Sequence, residues 1–200
     1  MADKRYFSYA HVHEAVESLA VESLVPNIKK WKPDVIVAIG GGGFIPGRML
    51  RSHMKQIPLR AVTLKLYDAT NTGVEILQWN DAEVVAGKRV LVVDEVDDTR
   101  KTLAACVAEL KKSKPAAVAV AVMHNKNKNK NKKALLPYDV DYMCSATLPD
   151  LWYCYPWETS MDIRDHERKA EPKTIVPGLL TFLAGCAMTV AVLKLGGIKV

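Results

Sequence analysis

Paired cysteines are missing from this sequence. Its four cysteines, Cys106, Cys144, Cys154 and Cys186, form no CxxC pair in 200 residues. That spacing argues against a cysteine zinc site and against the dense framework of a small disulfide-bonded domain. We therefore expect reduced thiols in an intracellular protein, with no metal held by cysteine.

The N-terminal stretch MADKRYFSYAHVHEAVESLA also lacks a long apolar run and carries acidic side chains. We expect neither a secretory signal nor a transit peptide there. The 49% of hydrophobic and 25% of charged residues are typical of one globular domain large enough to bury a core. A net charge of +6 favours anionic partners, namely phosphates, nucleic acid or an acidic membrane surface, and does not choose between them.

Helix and strand patterns alternate along the chain. PDVIVAIG, residues 33–40, is a short apolar run rich in β-branched residues, which predicts a buried strand. The same reasoning predicts further strands at 59–67, 88–96 and 116–124, and helices at 11–31, 45–54 and 99–113. Strands that are apolar on both faces belong to parallel sheets covered by helices. We predict an α/β fold with a mainly parallel central sheet, whose ligands bind at the carboxyl ends of the strands.

Four consecutive glycines, Gly40 to Gly43, follow the first of these strands. They cost chain entropy and carry no side chains, so we interpret them as a loop whose backbone N–H groups approach a bulky anion. A tight structural turn is the alternative, although a turn rarely needs four glycines.

The stretch VLVVDEVDDTRKTL, residues 90–103, begins with four apolar residues. Crowded carboxylates come next, followed by basic and hydroxyl-bearing side chains. Crowded like charges repel one another and do not stabilise a purely structural segment, so we expect an external ligand. Asp94 and Glu95 are suited to sugar hydroxyls or to Mg²⁺, and Asp98 is suited to handle a proton. The residues from Thr99 to Thr102 begin a helix, where free N–H groups favour a phosphate. A cluster of solvated capping acids is the alternative to this sugar-phosphate site.

The same stretch resembles the 5-phosphoribosyl-1-diphosphate (PRPP) signature of the type I phosphoribosyltransferases, which is an acidic pair, a spacer and Asp-Thr-Gly-x-Thr. The resemblance implies that Asp94 and Glu95 face the ribose hydroxyls and Mg²⁺, and that Asp98 is the acid-base residue near the purine N7. The residues that it assigns to the 5-phosphate are Thr99, Arg100, Lys101 and Thr102. Arg100 stands where the family usually has glycine.

Two further segments carry the resemblance, which covers roughly residues 30 to 165. IGGGGFIPGRMLR is similar to the loop that contacts pyrophosphate, and LPDLWYCYPWE is similar to the purine-side hood of the hypoxanthine, guanine and xanthine phosphoribosyltransferases. The amino-acid sequences of all three motifs are most similar to those of the fungal-type enzymes. The residues that these segments add to the implied site are Gly40 and Gly41 for PRPP, Trp152 for stacking on the purine, the Tyr153 backbone for its pyrimidine edge, Glu158 for Mg²⁺ and pyrophosphate, and Arg164 for pyrophosphate.

A buried aromatic cluster is the alternative for Trp152, and it is the better interpretation for Trp157. The family also has a lysine after the fourth strand that faces the exocyclic oxygen of the purine. In MHNKNKNKNKK, read as a solvated low-complexity loop, Lys126 is the best-placed candidate and Lys128 the next. A positively charged hydrogen-bond donor there favours hypoxanthine and guanine over adenine, because the amino group of adenine is itself a donor and cannot accept from the lysine.

The resemblance therefore implies a cytoplasmic, Mg²⁺-dependent purine-salvage enzyme, a homodimer or homotetramer that binds PRPP and a 6-oxopurine but no nucleic acid. LYDATNTGVEILQW, residues 66–79, is expected to be a mobile loop that closes over the site. One alternative is a regulator with this fold that binds RNA or a nucleotide, using the Lys-Asn run on nucleic acid. Another is a transferase for orotate or adenine, against which the hood motif argues.

Charge and histidine are absent from TIVPGLLTFLAGCAMTVAVL, residues 174–193. A helix of that length spans about 30 Å, the thickness of a bilayer's hydrocarbon core. Because the transferase domain is predicted over residues 1–170, we expect this segment to be a membrane anchor on an enzyme that faces the cytosol. A helix packed on the domain or at a dimer interface is the alternative, and Pro177 with Gly178 would begin or break the helix.

Overall fold

The computed structural model describes residues 3–24, 32–66, 73–128 and 136–171. The strands are β1 (Lys4–Tyr6), β2 (Val35–Gly40), β3 (Leu59–Leu66), β4 (Val74–Gln78), β5 (Arg89–Asp97), β6 (Ala117–Lys126), β7 (Asp141–Leu148) and β8 (Trp152–Cys154). The helices are α1 (Tyr9–Ser18), α2 (Phe44–Ser52), α3 (Lys101–Lys112) and α4 (Ile163–Ala170). A π-helical turn at Leu19–Leu24 extends α1, and short 3₁₀ turns form at Ala82–Val84 and Pro156–Glu158.

Six strands form the central sheet in the order β4-β3-β2-β5-β6-β7. Every pair is parallel except β3 with β4, which confirms the predicted α/β fold with a mainly parallel sheet. The innermost strands β2, β5 and β6 are buried along most of their length, as their unbroken apolar runs predicted. Their carboxyl ends therefore meet at one edge of the sheet.

Alternation along the strands divides the core into two layers. Ile36, Leu91 and Met123 face α1 and α2, and they pack with Val16 and Leu50. The next residues along the same strands point to the opposite face, because successive side chains of a strand alternate. There they meet the apolar face of α3, formed by Leu103, Cys106, Val107 and Leu110.

A second, two-stranded sheet joins β1 to β8 in parallel, with Arg5 opposite Tyr153. An aromatic stack links this sheet to the end of β6, since the Phe7 ring lies 4.5 Å from the His124 ring. Tyr155 stacks on Trp157 at 5.0 Å, and its hydroxyl lies 2.8 Å from His124 Nδ1. These contacts fix the segment that holds Trp152 against the main sheet.

The predicted mobile loop over residues 66–79 is wrong for its second half. Val74–Gln78 forms β4, which pairs antiparallel with β3 from Leu64 opposite Ile76 to Leu66 opposite Val74. Residues 67–72 lie outside the described part of the chain. Turn-forming residues precede this strand, and they masked its short apolar core in the sequence.

The chain divides into two compact units, Met1–Ala170 and Glu171–Val200. The segment predicted as an anchor, residues 174–193, belongs to the second unit and lies outside the described residues. Within the described part, no helix combines the length and apolarity that a bilayer span requires.

Candidate functional site

The carboxyl ends of β2 and β5 open into a cavity of about 280 Å³. Its wall consists of the glycine loop after β2, the acidic end of β5 and the turn that leads into α3. The predicted site residues that line it are Gly40, Gly41, Asp94, Glu95, Asp98, Thr99, Arg100 and Thr102. Two stretches that are about fifty residues apart in sequence thus meet because their strands are neighbours in the sheet.

The glycine loop has both structural and open positions. A Cβ at Gly43 would lie 2.5 Å from the Val93 carbonyl oxygen and 2.7 Å from that of Ile39, so the backbone itself requires glycine there. At Gly41 nothing lies within 4 Å of such a Cβ. The peptide bond between Gly40 and Gly41 is cis. The tight-turn interpretation therefore explains Gly43, whereas Gly41 leaves its backbone open to the cavity.

The acidic pair at the end of β5 is held in a low-dielectric position. Asp94 is buried, and this burial, reinforced by the charge of the adjacent Glu95, raises the pKa of Asp94 well above its ordinary value. The Glu95 backbone N–H donates to Asp94 Oδ1 at 3.0 Å. Glu95 Oε2 is buried and has no hydrogen-bond partner among the described residues. A buried carboxylate oxygen of this kind calls for a donor or a cation.

The two carboxylates of the acidic pair are donors of the kind that Mg²⁺ takes. No group of three or more His, Cys, Asp or Glu side chains within the described ranges could hold a metal ion by itself. Mg²⁺ is commonly bound by one or two carboxylates together with substrate phosphates. Asp94 and the unpartnered oxygen of Glu95 meet that requirement.

Glu158 lies in the 3₁₀ turn after β8, where its Oε2 accepts a hydrogen bond from the Tyr155 backbone N–H at 3.3 Å. Burial raises the pKa of Glu158, and the negative charge of Glu95 raises it further. Glu158, predicted to bind Mg²⁺, therefore senses the charge of the acidic pair, although it does not line the cavity.

Asp97, the last residue of β5, was not among the predicted site residues. Its side chain is fully buried and forms an ion pair of 2.7 Å with Arg100. Tyr142, on β7, donates its hydroxyl to the same Asp97 oxygen at 2.9 Å, and the Arg100 guanidinium lies 4.5 Å from the centre of the Tyr142 ring. Arg100, predicted to hold the 5-phosphate, lines the cavity, and its guanidinium contacts Asp97 and Tyr142. The sequence signal that could have indicated this ion pair is the spacing of three positions between Asp97 and Arg100.

Asp98 belongs to a cluster of four charges. Lys128 forms ion pairs with Asp98 and, at 3.1 Å, with Asp150. Lys126, nearly buried at the end of β6, lies 3.5 Å from Asp98 and 3.7 Å from Asp150. Hydrogen bonding to Asp98 raises the pKa of Lys128, and Lys128 in turn lowers the pKa of Asp150. The predicted acid-base residue and both candidate purine lysines therefore meet at one place.

Trp152 and Tyr153 adopt opposite orientations, as neighbours in a strand do. The Trp152 side chain is exposed, with 60% of its surface accessible, so the core-cluster alternative is wrong for this residue. Tyr153 is buried, and its hydroxyl donates to the Pro149 carbonyl at 2.6 Å. Lys126 Nζ lies 5.8 Å from the Tyr153 ring, which links the hood to the charge cluster.

Besides Glu158 and the base-side residues Lys126, Trp152 and Tyr153, two more predicted site residues lie outside the cavity wall. Lys101 occupies the first position of α3 and does not contribute to the wall. Arg164, in α4, has 85% of its side chain exposed and pairs with Asp162 at 3.0 Å. The structure does not bring either side chain to the cavity.

The chain is similar to proteins of known family. The family model described as a phosphoribosyl transferase domain matches residues 8–164. A hypoxanthine-guanine phosphoribosyltransferase of Saccharomyces cerevisiae is 39% identical, with 84% of this chain and 91% of that protein covered. Xanthine phosphoribosyltransferase 1 of the same yeast is 35% identical, with 84% and 96% covered.

Solved structures agree with this likeness. A Neisseria gonorrhoeae protein crystallised with bound ppGpp is 42% identical and superposes with a TM-score of 0.76, covering 85% of this chain and 97% of that one. A purine phosphoribosyltransferase from Pyrococcus horikoshii is 29% identical with a TM-score of 0.62, covering 80% and 97%.

Proposed function

The chain belongs to the phosphoribosyltransferase family, and from that premise we propose that it is a purine-salvage enzyme. It transfers the phosphoribosyl group of PRPP to hypoxanthine, guanine or xanthine and releases pyrophosphate. The observation that carries this function is that three groups meet at one sheet edge. They are the acidic pair Asp94 and Glu95, the turn of residues 99–102, called the phosphate turn below, and Asp98 with Lys126. The yeast relatives act on hypoxanthine and guanine or on xanthine, as their names state.

PRPP would bind along the cavity wall. Asp94 and Glu95 accept hydrogen bonds from the two ribose hydroxyls, since carboxylates are acceptors and vicinal hydroxyls are donors. The backbone N–H groups from Thr99 to Thr102, with the two threonine hydroxyls, hold the 5-phosphate at the beginning of α3. The open backbone at Gly41 faces the pyrophosphate. When Mg²⁺ is bound by the acidic pair, it neutralises charge on the leaving pyrophosphate.

The purine would bind between the hood and the charge cluster. The exposed indole of Trp152 offers a stacking surface. The Lys126 ammonium donates to the 6-oxo group, which favours oxopurines over adenine. The ppGpp bound by the Neisseria gonorrhoeae relative is a guanine nucleotide, and this supports guanine as one of the bases.

The chemistry would proceed through an oxocarbenium-like transition state at ribose C1 as purine N9 approaches. The protein contributes mainly by holding both substrates in line and by placing fixed charges around them. Asp98 exchanges the proton at purine N7 and stabilises the positive charge that develops on the base. Its two lysine neighbours keep this carboxylate in place.

An assay of nucleotide formation tests the function. Purified protein with PRPP and Mg²⁺ is supplied with hypoxanthine, guanine, xanthine, adenine or orotate in turn, and the nucleoside monophosphate is quantified. We expect turnover with at least one oxopurine and none with orotate. Absence of turnover with all three oxopurines would contradict the proposal and favour a nucleotide-binding regulator.

We further propose a homodimer or homotetramer that is attached to a membrane through residues 174–193. The support for the membrane attachment is the uncharged twenty-residue run in the sequence. Full-length protein should sediment with membranes and resist alkaline carbonate, whereas a chain ending at Pro172 should remain in the supernatant and keep its activity. Recovery of a monodisperse full-length protein without detergent would contradict the anchor. Light scattering on the shortened chain measures the oligomeric state separately.

A further inference from the structure

The phosphate turn contains a residue in an unusual backbone conformation. Arg100 has φ of 68° and ψ of −1°, in the left-handed region, which side chains with a Cβ adopt with difficulty. Within the described ranges the other non-glycine residues with positive φ are Lys55, Gln56 and Lys114, and none of these three lines the cavity. Only surrounding contacts that over-determine such a conformation keep it populated.

Three contacts hold Arg100 in this conformation. Its Nε donates to Asp97 Oδ2 at 2.8 Å and its terminal nitrogen pairs with the same oxygen at 2.7 Å. The guanidinium also lies 4.5 Å from the Tyr142 ring centre, within the range of a cation–π contact. Tyr142 completes the group by donating to Asp97 at 2.9 Å. The group is largely shielded from water, with 17% of the Arg100 side chain and none of the Asp97 side chain exposed.

We propose that Asp97, Arg100 and Tyr142 form a positioning unit that fixes the left-handed conformation of the phosphate turn, and that the Arg100 guanidinium serves this unit and does not bind the phosphate. The inference rests on the proposed function, because it concerns how the same site binds PRPP. Arg100 is then a positioning residue, and the phosphate is bound by backbone N–H groups and threonine hydroxyls. The carboxylate on β5 and the phenol on β7 supply the constraint that a glycine at position 100 would make unnecessary.

The opposite assignment, direct binding of phosphate by Arg100, predicts opposite results. If Asp97 restrains a guanidinium that would otherwise reach the phosphate, Asp97→Asn should lower the KM for PRPP. If Asp97 positions the loop, the same substitution should raise the KM for PRPP about 5-fold or more and leave the KM for the purine within 2-fold. The sign of the PRPP effect therefore decides between the two.

A pair of substitutions at position 100 separates backbone from side chain. Arg100→Gly and Arg100→Ala remove the same guanidinium, but glycine adopts the left-handed conformation readily and alanine does not. We expect Arg100→Ala to raise the KM for PRPP at least 3-fold more than Arg100→Gly does. Equal KM values for the two variants would overturn the positioning role.

The double variant Asp97→Asn/Arg100→Gly provides a thermodynamic cycle. Because glycine at position 100 makes the restraint by Asp97 unnecessary, the double variant should have a KM for PRPP close to that of Arg100→Gly alone. Independent, multiplicative effects would contradict the unit.

A matched ion pair lies at the other end of the same strand. Asp34 pairs with Arg89, the first residue of β5, at 2.7 Å. Asp34→Asn should leave both KM values unchanged. If Asp97→Asn fails to fold, Tyr142→Phe, which removes only one hydroxyl, replaces it: the PRPP KM should rise at least 2-fold, and an unchanged value would overturn the proposal. Oxopurine turnover by the unsubstituted protein tests the proposed function independently of all these variants.

Discussion

Asp98 is surrounded by charges of both signs, and this defines a test at the scale of a single residue. Asp98→Asn keeps the shape of the side chain and removes its ability to exchange a proton. We expect kcat to fall by about 100-fold or more, the usual size for a positioned acid-base group, with PRPP binding retained. Asp150→Asn is the matched control, because Asp150 contacts the same two lysines and lies outside the cavity wall. Full activity of Asp98→Asn would remove Asp98 from the mechanism.

The two tryptophans of the hood separate binding from stability. Trp152 is exposed, whereas Trp157 is stacked on Tyr155 and packs against the core. Trp152→Ala should raise the KM for the purine much more than the KM for PRPP and leave the melting temperature unchanged. Trp157→Ala should lower the free energy of unfolding by about 2 to 4 kcal/mol. Equal changes in both KM values for Trp152→Ala would refute its stacking role.

At the scale of elements, the glycine loop contains its own internal control. A Cβ at Gly43 would collide with two backbone carbonyl oxygens, which cannot move without disturbing β2 and β5. Gly43→Ala should therefore lower the free energy of unfolding by about 1 to 3 kcal/mol. Gly41→Ala meets no atom within 4 Å and should melt like the unsubstituted protein, yet raise the KM for PRPP. Chemical denaturation and steady-state kinetics of the two variants measure these effects, and a stable Gly43→Ala variant would contradict the packing argument.

Elements with a clear apolar pattern were predictable from the sequence, including β3, α1 and α2, whereas β1, β7 and β8 were not. β2, β5, β6 and α3 carry unbroken apolar runs or a clear helical face, and all four were found where expected. β7, with the sequence DYMCSATL, has few β-branched residues and mixed burial, so its pattern is weak. β1 and β8 have three residues each, too few for any periodicity to show.

The residues of the site likewise divide into those that the sequence predicted and those that it did not. Asp94 and Glu95 lie near the carboxyl end of β5, and Asp98 directly follows it. Their closeness in the sequence was therefore enough to predict that they would lie together at a sheet edge. The contact between Asp97 and Tyr142 joins positions 45 residues apart. Only the strand order β5-β6-β7 brings them within reach, and nothing in local spacing encodes it.

At the scale of the whole molecule, His124 makes stability depend on pH. Burial, and next the positive charge of Arg5, lower the pKa of His124 from its ordinary 6.5 to about 4. The folded protein keeps this imidazole neutral while the unfolded chain binds a proton below about pH 6.5. The free energy of unfolding should therefore decrease as the pH falls from 6.5 to 4, by at most about 3 kcal/mol.

A variant without His124 isolates this dependence. The raised pKa of the Asp94 carboxyl acts in the opposite direction, because its contribution to stability is lost as the pH rises. The informative quantity is consequently the difference between the unsubstituted protein and His124→Asn, measured by urea denaturation at several pH values. The two proteins should converge as the pH falls from 6.5 to 4. Parallel curves across this range would show that His124 does not titrate there.

The pairing of β1 with β8 has a consequence for how the molecule is made. Arg5 and Tyr153 are partners, so the first strand leaves the ribosome long before the strand it pairs with. The PRPP side of the site, including Tyr142 on β7, is synthesised while β1 still has no partner. The purine side becomes complete only when the two ends of the domain meet, and closing so long a loop is slow. Nascent chains should therefore acquire the ability to bind the phosphorylated sugar before they can bind the base.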